Sequence, residues 1–121
     1  MKKYLIASLM LSFIIACGDN KTEEKKETST TDLSSNPDYK KGLALIVKSD
    51  CLGCHKVSEK LVGPAYKDVA NKYTSADISM LTDKVIKGGT GVWGQVPMAP
   101  HPNLSREDAE QIIKYILLLK K

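Results

Sequence analysis

An all-α domain of four to five short helices is the fold this sequence predicts, and three observations carry the prediction. Asn36-Pro37 pairs an N-cap residue with proline at the first helical position, where the missing N–H costs nothing. Near the other end, Ser105 with Asp108 three residues on resembles a capping box, followed by Ala109, Ile112, Ile113 and Ile116 at helical spacing. No internal repeat and no strand–helix–strand rhythm lies between them.

Taken in order, the first helix runs from Pro37 to about Lys48, with Gly42, Leu43, Leu45, Ile46 and Val47 contributing an apolar face. A brief second helix is expected from Pro64 to about Lys72, offering Tyr66, Val69 and Tyr73 for packing. Ser75 is read as the cap of a third, which passes through Ile78, Met80, Leu81, Val85 and Ile86 and stops at Gly88-Gly89. Residues 88–102 then read as a loop dense in glycine and proline, stiff in its second half. The Ser105 helix closes the chain.

The N-terminus has a different character. Lys2 and Lys3 precede an apolar stretch, Tyr4 to Ile15, of about twelve residues, too short to span a bilayer and suited to a signal-peptide core. It ends in Ile14-Ile15-Ala16-Cys17, which resembles the lipobox of bacterial lipoproteins. That resemblance implies a lipoprotein signal peptide over 1–16, cleaved before Cys17, with Cys17 the site of lipidation. An ordinary secretory signal that ends near a cysteine is the alternative, and both readings export the chain.

Residues 17–36 form the lipidated cysteine and its tether. Beyond Cys17 the segment is polar, with Leu33 its isolated apolar residue, so it cannot bury enough surface to offset its ordering entropy. A flexible chain of about 19 residues spans roughly 25 Å on average and about 65 Å at full stretch. The folded unit is then 37–121. It carries 13 Lys/Arg against 9 Asp/Glu, a formal +4, which favours partners with acidic docking surfaces. Lys56, Lys60 and Lys87 are candidate guides for such docking. Basic residues are not clustered, and an exported chain has no use for nucleic-acid binding, so that class is set aside. The chain is taken as a monomer.

The chemistry lies in Cys51-Leu52-Gly53-Cys54-His55. A Cys-x-x-Cys-His run is the attachment signature of a c-type haem: two thiols add to the haem vinyl groups and the adjacent imidazole can ligate the iron. Zinc and dithiol chemistry also use Cys-x-x-Cys. A zinc site needs about four ligands, and His101 and Cys17 are the remaining candidates. A thioredoxin-like site should follow a strand, and none is expected before Cys51. Three cysteines are accounted for as one lipid attachment and two haem attachments, which implies a single covalent haem c.

A haem iron held by His55 has a second axial position. Met98, between Pro97 and Pro100, is one candidate and His101 another, with an open position the third arrangement. Met1 and Met10 leave with the signal, and Met80 lies at core spacing within a helix.

Residues 38–121 resemble the small bacterial class I monohaem cytochromes c, which shuttle electrons in respiratory chains. The likeness rests on Cys51-Leu52-Gly53-Cys54-His55, on Val62-Gly63-Pro64-Ala65-Tyr66-Lys67-Asp68-Val69-Ala70, and on Gly91-Val92-Trp93-Gly94-Gln95-Val96-Pro97-Met98. It implies the small class I cytochrome c fold around one haem, with first and last helices crossing where Gly42 lets them approach near Tyr115. Cys51 and Cys54 would carry the thioethers, His55 would be the proximal ligand and Met98 the distal one. The Pro64 carbonyl would accept a hydrogen bond from His55, and Trp93 would donate toward a haem propionate. One stretch departs from the pattern. Close relatives place an Asn soon after the ligand Met, whereas here His101-Pro102-Asn103 is one residue longer, and both His101 and Asn103 are candidates for that part. The function implied is a membrane-tethered electron carrier on the periplasmic side of a bacterial membrane. Its rivals are a haem sensor or peroxidase-like enzyme with an open distal site, and a zinc-bound interaction module.

Overall fold

Helix α1 (Pro37–Lys48) starts where Asn36 satisfies its first donors: the Asn36 side chain accepts from the N–H groups of Asp38 at 2.8 Å and Tyr39 at 3.3 Å. The computed structural model describes residues 33–121, beginning with a 3-10 turn over Leu33–Ser35 directly before this cap. The expected signal peptide, Cys17 and the tether up to residue 32 lie outside the described residues. Losing an Asn cap costs a helix about 1 kcal/mol. Asn36→Ala should therefore lower the melting temperature of the haem-loaded protein by about 4–8 °C, read by thermal unfolding at a fixed scan rate.

Helix α2 covers Tyr66–Lys72, two residues later than expected. Ala65 is its extended N-cap, which leaves Pro64 outside the helix with its carbonyl free for another partner. Helix α3 (Ile78–Lys87) corrects the expected cap at Ser75. Thr74 caps the 3-10 turn before the helix, and Asp77 is the cap position of α3 itself: the Thr74 N–H donates to the Asp77 carboxylate at 2.8 Å and its hydroxyl to the same oxygen at 3.0 Å. Ser75 instead opens that 3-10 turn, Ser75–Asp77, which leads into the helix. Helix α4 (Arg106–Leu118) is capped by Ser105, whose hydroxyl accepts from the Asp108 N–H at 3.1 Å.

The stretch expected to be a loop contains a hairpin. Strands β1 (Gly89–Gly91) and β2 (Gly94–Met98) pair antiparallel, with Gly89 opposite Met98 and Gly91 opposite Gly94. Both strands are solvent-exposed up to Val96 and Pro97 and lack the apolar alternation that marks a half-buried strand. Pro97 is tolerated because β2 has a partner on one side alone.

Helix α4 is the centre of the packing and meets α1, α2 and α3 in turn. Ala109, Ile112, Ile113, Ile116 and Leu119 join Ile46 of α1, Val69 and Ala70 of α2, and Leu81 and Val85 of α3 in one buried cluster with Tyr66 and Tyr115. The α1–α4 crossing is close because position 42 has no side chain. A Cβ there would collide with the Tyr115 Cβ and lie 2.8 Å from the Gln111 carbonyl oxygen. Gln111 secures the same crossing, donating from Nε2 to the Asp38 carbonyl at 3.2 Å and its carboxylate at 3.1 Å. On the outer side Arg106 joins α4 to α3 through Asp83 at 2.7 Å and Ser79 at 2.9 Å. These groups are exposed, so water screens the pair and its contribution is small. Among the described residues no helix is long and apolar enough to cross a membrane.

Candidate functional site

The Cys-x-x-Cys-His segment is a single tight turn. Asp50, in the left-handed region at φ 56°, redirects the chain out of α1, and Cys51–Gly53 then forms one turn of 3-10 helix. The Cys51 carbonyl accepts from the N–H groups of both Cys54 at 3.2 Å and His55 at 3.0 Å. Cys51, Cys54 and His55 are thereby grouped on one turn of backbone. Cys51 is half-buried against the core cluster, while Cys54 is exposed, and both are free thiols. Burial pushes the Cys51 thiol pKa up, opposed by its backbone hydrogen bond, and Asp50 adds to the rise.

A second segment zips onto the first. Gly63 N–H donates to the Cys54 carbonyl at 2.8 Å, Tyr66 N–H to the Lys56 carbonyl at 2.9 Å and Lys67 N–H to the Val57 carbonyl at 3.0 Å. This brings the Pro64 carbonyl to 2.8 Å from His55 Nδ1. A carbonyl can only accept, so Nδ1 carries the proton and Nε2 keeps its lone pair available for a metal. Gly63 presses on the same ring. A Cβ at position 63 would collide with His55 Cε1 and lie 2.7 Å from Nδ1 and 2.8 Å from Nε2. Tyr66 covers it further, its ring centroid 5.4 Å from the imidazole and the planes 16° apart.

The hairpin supplies Trp93 and Met98. Trp93 sits in its turn and is partly exposed, edge-on to Tyr73 with centroids 6.5 Å apart. Lys72 Nζ lies 5.9 Å from the Trp93 ring centroid and 5.8 Å from that of Tyr73, a shared cation–π contact. Met98 closes β2 and is half-buried against the core cluster that also receives Cys51. Gly88, at φ +69°, allows the return of this strand, since the Met98 carbonyl and the Pro100 nitrogen crowd the place its Cβ would take. His101 has a different job in the backbone: its N–H caps α3 by donating to the Ile86 carbonyl at 3.0 Å and the Val85 carbonyl at 3.3 Å. Asn103 is exposed in the turn that follows. Cys17 lies outside the described residues.

These residues suit a covalent haem. The thiols and the imidazole lie on one turn, and the imidazole is oriented with its proton on the nitrogen that faces protein. Large apolar side chains remain exposed in the same three segments: Leu52 between the cysteines, Leu61 and Val62 beside Gly63, and Val92, Trp93 and Val96 in the hairpin. The buried Tyr66 hydroxyl has no hydrogen-bond partner among the described residues, although buried polar groups are ordinarily satisfied. A bound porphyrin would cover such apolar surface and offer acceptors. Among the described residues no three His, Cys, Asp or Glu side chains come together as a metal site.

Sequence reading assigned no role to the Tyr66 ring or to Gly63 at the imidazole, or to Lys72 at Trp93. The signal for Gly63 was its position directly before Pro64, where a backbone carbonyl had to come close to a ring.

Comparison with known proteins gives the family and the fold. The sequence model of the family described as cytochrome c matches residues 39–120. Cytochrome c-552 of Nitrosomonas europaea is 46% identical over 78 residues, covering 63% of this chain and 76% of the relative. Cytochrome c-551 of Allochromatium vinosum is 47% identical over 77 residues, covering 62% of this chain and 82% of the relative. The crystal structure of wild-type Nitrosomonas europaea cytochrome c552 matches with a TM-score of 0.61 at 44% identity, over 64% of this chain and 99% of that one.

Proposed function

The chain belongs to the cytochrome c family and carries one covalently bound haem c, and we propose that it is an exported, lipid-anchored electron carrier working between respiratory complexes. Electron transport is the activity of its relatives; the anchor, the partners and the residue roles below are this reading's own. Haem iron, when bound, supplies one-electron chemistry by cycling between ferric and ferrous states. Cys51 and Cys54 would attach the group, and His55 Nε2 and Met98 would hold its iron. The observation that carries the assignment is the 2.8 Å contact between His55 Nδ1 and the Pro64 carbonyl. It holds the imidazole in one tautomer, with the ligand lone pair on the other nitrogen. Trp93 is the donor toward a propionate.

A carrier must change charge without rearranging. His55 is held by Pro64, Gly63 and Tyr66, and Met98 is fixed at the end of a strand and packed on the core. Such restraint would keep both residues in place in either oxidation state, as a carrier requires. Docking to an acidic partner rests on the +4 of residues 37–121. Of the three lysines offered as guides, Lys56 and Lys87 are each paired within the chain, to Glu59 at 3.3 Å and Asp83 at 3.0 Å. Lys60 has no ion pair among the described residues and is the strongest of the three.

The test is an optical spectrum of the mature protein, oxidised and reduced, followed by acid-acetone extraction. Sharp reduced bands, colour that survives extraction and a near-infrared Fe–S band are expected. Covalent haem without the Fe–S band would move the second ligand to His101 or leave the position open, which restores the sensor or peroxidase-like reading. Colourless protein from a host competent in haem attachment would end the assignment. For the anchor, Cys17→Ser should shift the protein from the membrane fraction to the soluble periplasmic fraction; retention at the membrane would exclude lipidation at that residue.

A further inference from the structure

A single hydrogen bond bends easily. The Pro64 carbonyl holds His55 Nδ1, yet the imidazole can still rock about its Cβ–Cγ bond within that contact. Gly63 obstructs that motion at Cε1 by backbone contact. The ring stacked on the imidazole, 5.4 Å away and 16° from parallel, belongs to Tyr66. We propose that Tyr66 is a positioning residue for His55: its flat face removes the remaining rotation and so sets the plane of the axial imidazole. The inference rests on His55 being the axial ligand.

Tyr66 is itself held firmly enough to do this. It is 3% exposed, and Tyr115 meets it edge-on with centroids 6.5 Å apart and planes 88° apart. Tyr115 is pinned in turn by Tyr39, 5.0 Å away, and by the close approach of α1 at Gly42. The Tyr66 N–H is bonded to the Lys56 carbonyl, one residue past His55, so ring and imidazole are tied through backbone as well. Aromatic rings favour such offset stacking over free rotation because their quadrupoles and contact area are both orientation-dependent. The hydroxyl is not part of this grip, since it makes no hydrogen bond to His55 or to any other described residue. The face of the ring is therefore the working part. The plane of an axial imidazole governs its overlap with the iron orbitals, and axial ligation is one of the levers on the potential.

The experiment compares ferric low-temperature EPR g-values and midpoint potential in haem-loaded wild type, Tyr66→Phe and Tyr66→Leu, with melting temperature recorded alongside. Tyr66→Phe should match the wild type in g-values and potential. Tyr66→Leu should shift both, because its side chain has bulk but no flat face. Should Tyr66→Leu fail to load haem, Tyr66→Met, closer in volume and equally without a face, is read against the same two outcomes. A lower melting temperature with unchanged g-values and potential would show a packing residue only and overturn the proposal. So would a shift in Tyr66→Phe as large as that in Tyr66→Leu, since the hydroxyl would then be responsible. Absence of a low-spin histidine-ligated signal in the wild type would instead remove the ligand assignment to His55, a failure distinct from that of Tyr66.

Discussion

Met98→Ala is expected to lower the reduction potential by a sizeable fraction of the roughly 0.8 V that axial ligands span, while the haem stays covalently attached. The proposed attachment is on the Cys51–His55 turn, whose hydrogen bonds to later residues run to Gly63 and Pro64 and not to the hairpin, so removing Met98 should leave it intact. The potential falls because a thioether is neutral and soft and favours the ferrous state. Alanine has no donor to replace it, and a hard oxygen ligand such as water favours the ferric state. Voltammetry gives the potential, intact mass confirms the covalent adduct, and the near-infrared Fe–S band should vanish. An unchanged potential would mean that another residue holds the second position.

That prediction uses the hairpin, which is the piece of the fold the sequence concealed. The helices were legible because each depends on local chemistry. Asn36-Pro37 and Ser105 act within their own first turns, and the isoleucines of α4 repeat at the period of the helix. The heme-attachment turn was legible for a like reason, since two thiols and an imidazole within five residues declare their purpose. By contrast β1 is Gly-Thr-Gly, and a strand that short with both faces in solvent has no apolar period to read. Thr74 displaced Ser75 as a cap because two hydroxyl residues stand side by side, and the carboxylate three residues beyond Thr74 decides between them. The grip on His55 was hidden differently. Gly63 and Tyr66 lie 8 and 11 residues past the imidazole, across a segment with no periodicity, so their contact with it follows from backbone pairing alone.

Gly42→Ala is expected to destabilise the haem-loaded protein, against what helix propensity predicts. Alanine gains about 0.5–1 kcal/mol over glycine inside a helix. Overpacking a tight contact costs roughly 1–3 kcal/mol, sometimes more. The second effect should win here, because the atoms that meet the new methyl cannot swing aside. They are the Cβ of Tyr115 and the carbonyl oxygen of Gln111, both fixed to the backbone of α4. Relief requires the helices to part, which also stretches the Gln111 bonds to Asp38. A net loss of about 2 kcal/mol would lower the melting temperature by roughly 8–16 °C, well beyond the effect of Asn36→Ala, and Gly42→Val should lose more. An increase in melting temperature would instead show that the crossing has room to spare. The same variant carries information about the site, since Tyr115 connects the crossing to Tyr66 and Tyr66 to His55. If parting α1 from α4 loosens that chain of rings, the ferric g-values will move together with the melting temperature. Movement of the melting temperature alone would place the boundary of the rigid site between Tyr115 and Tyr66.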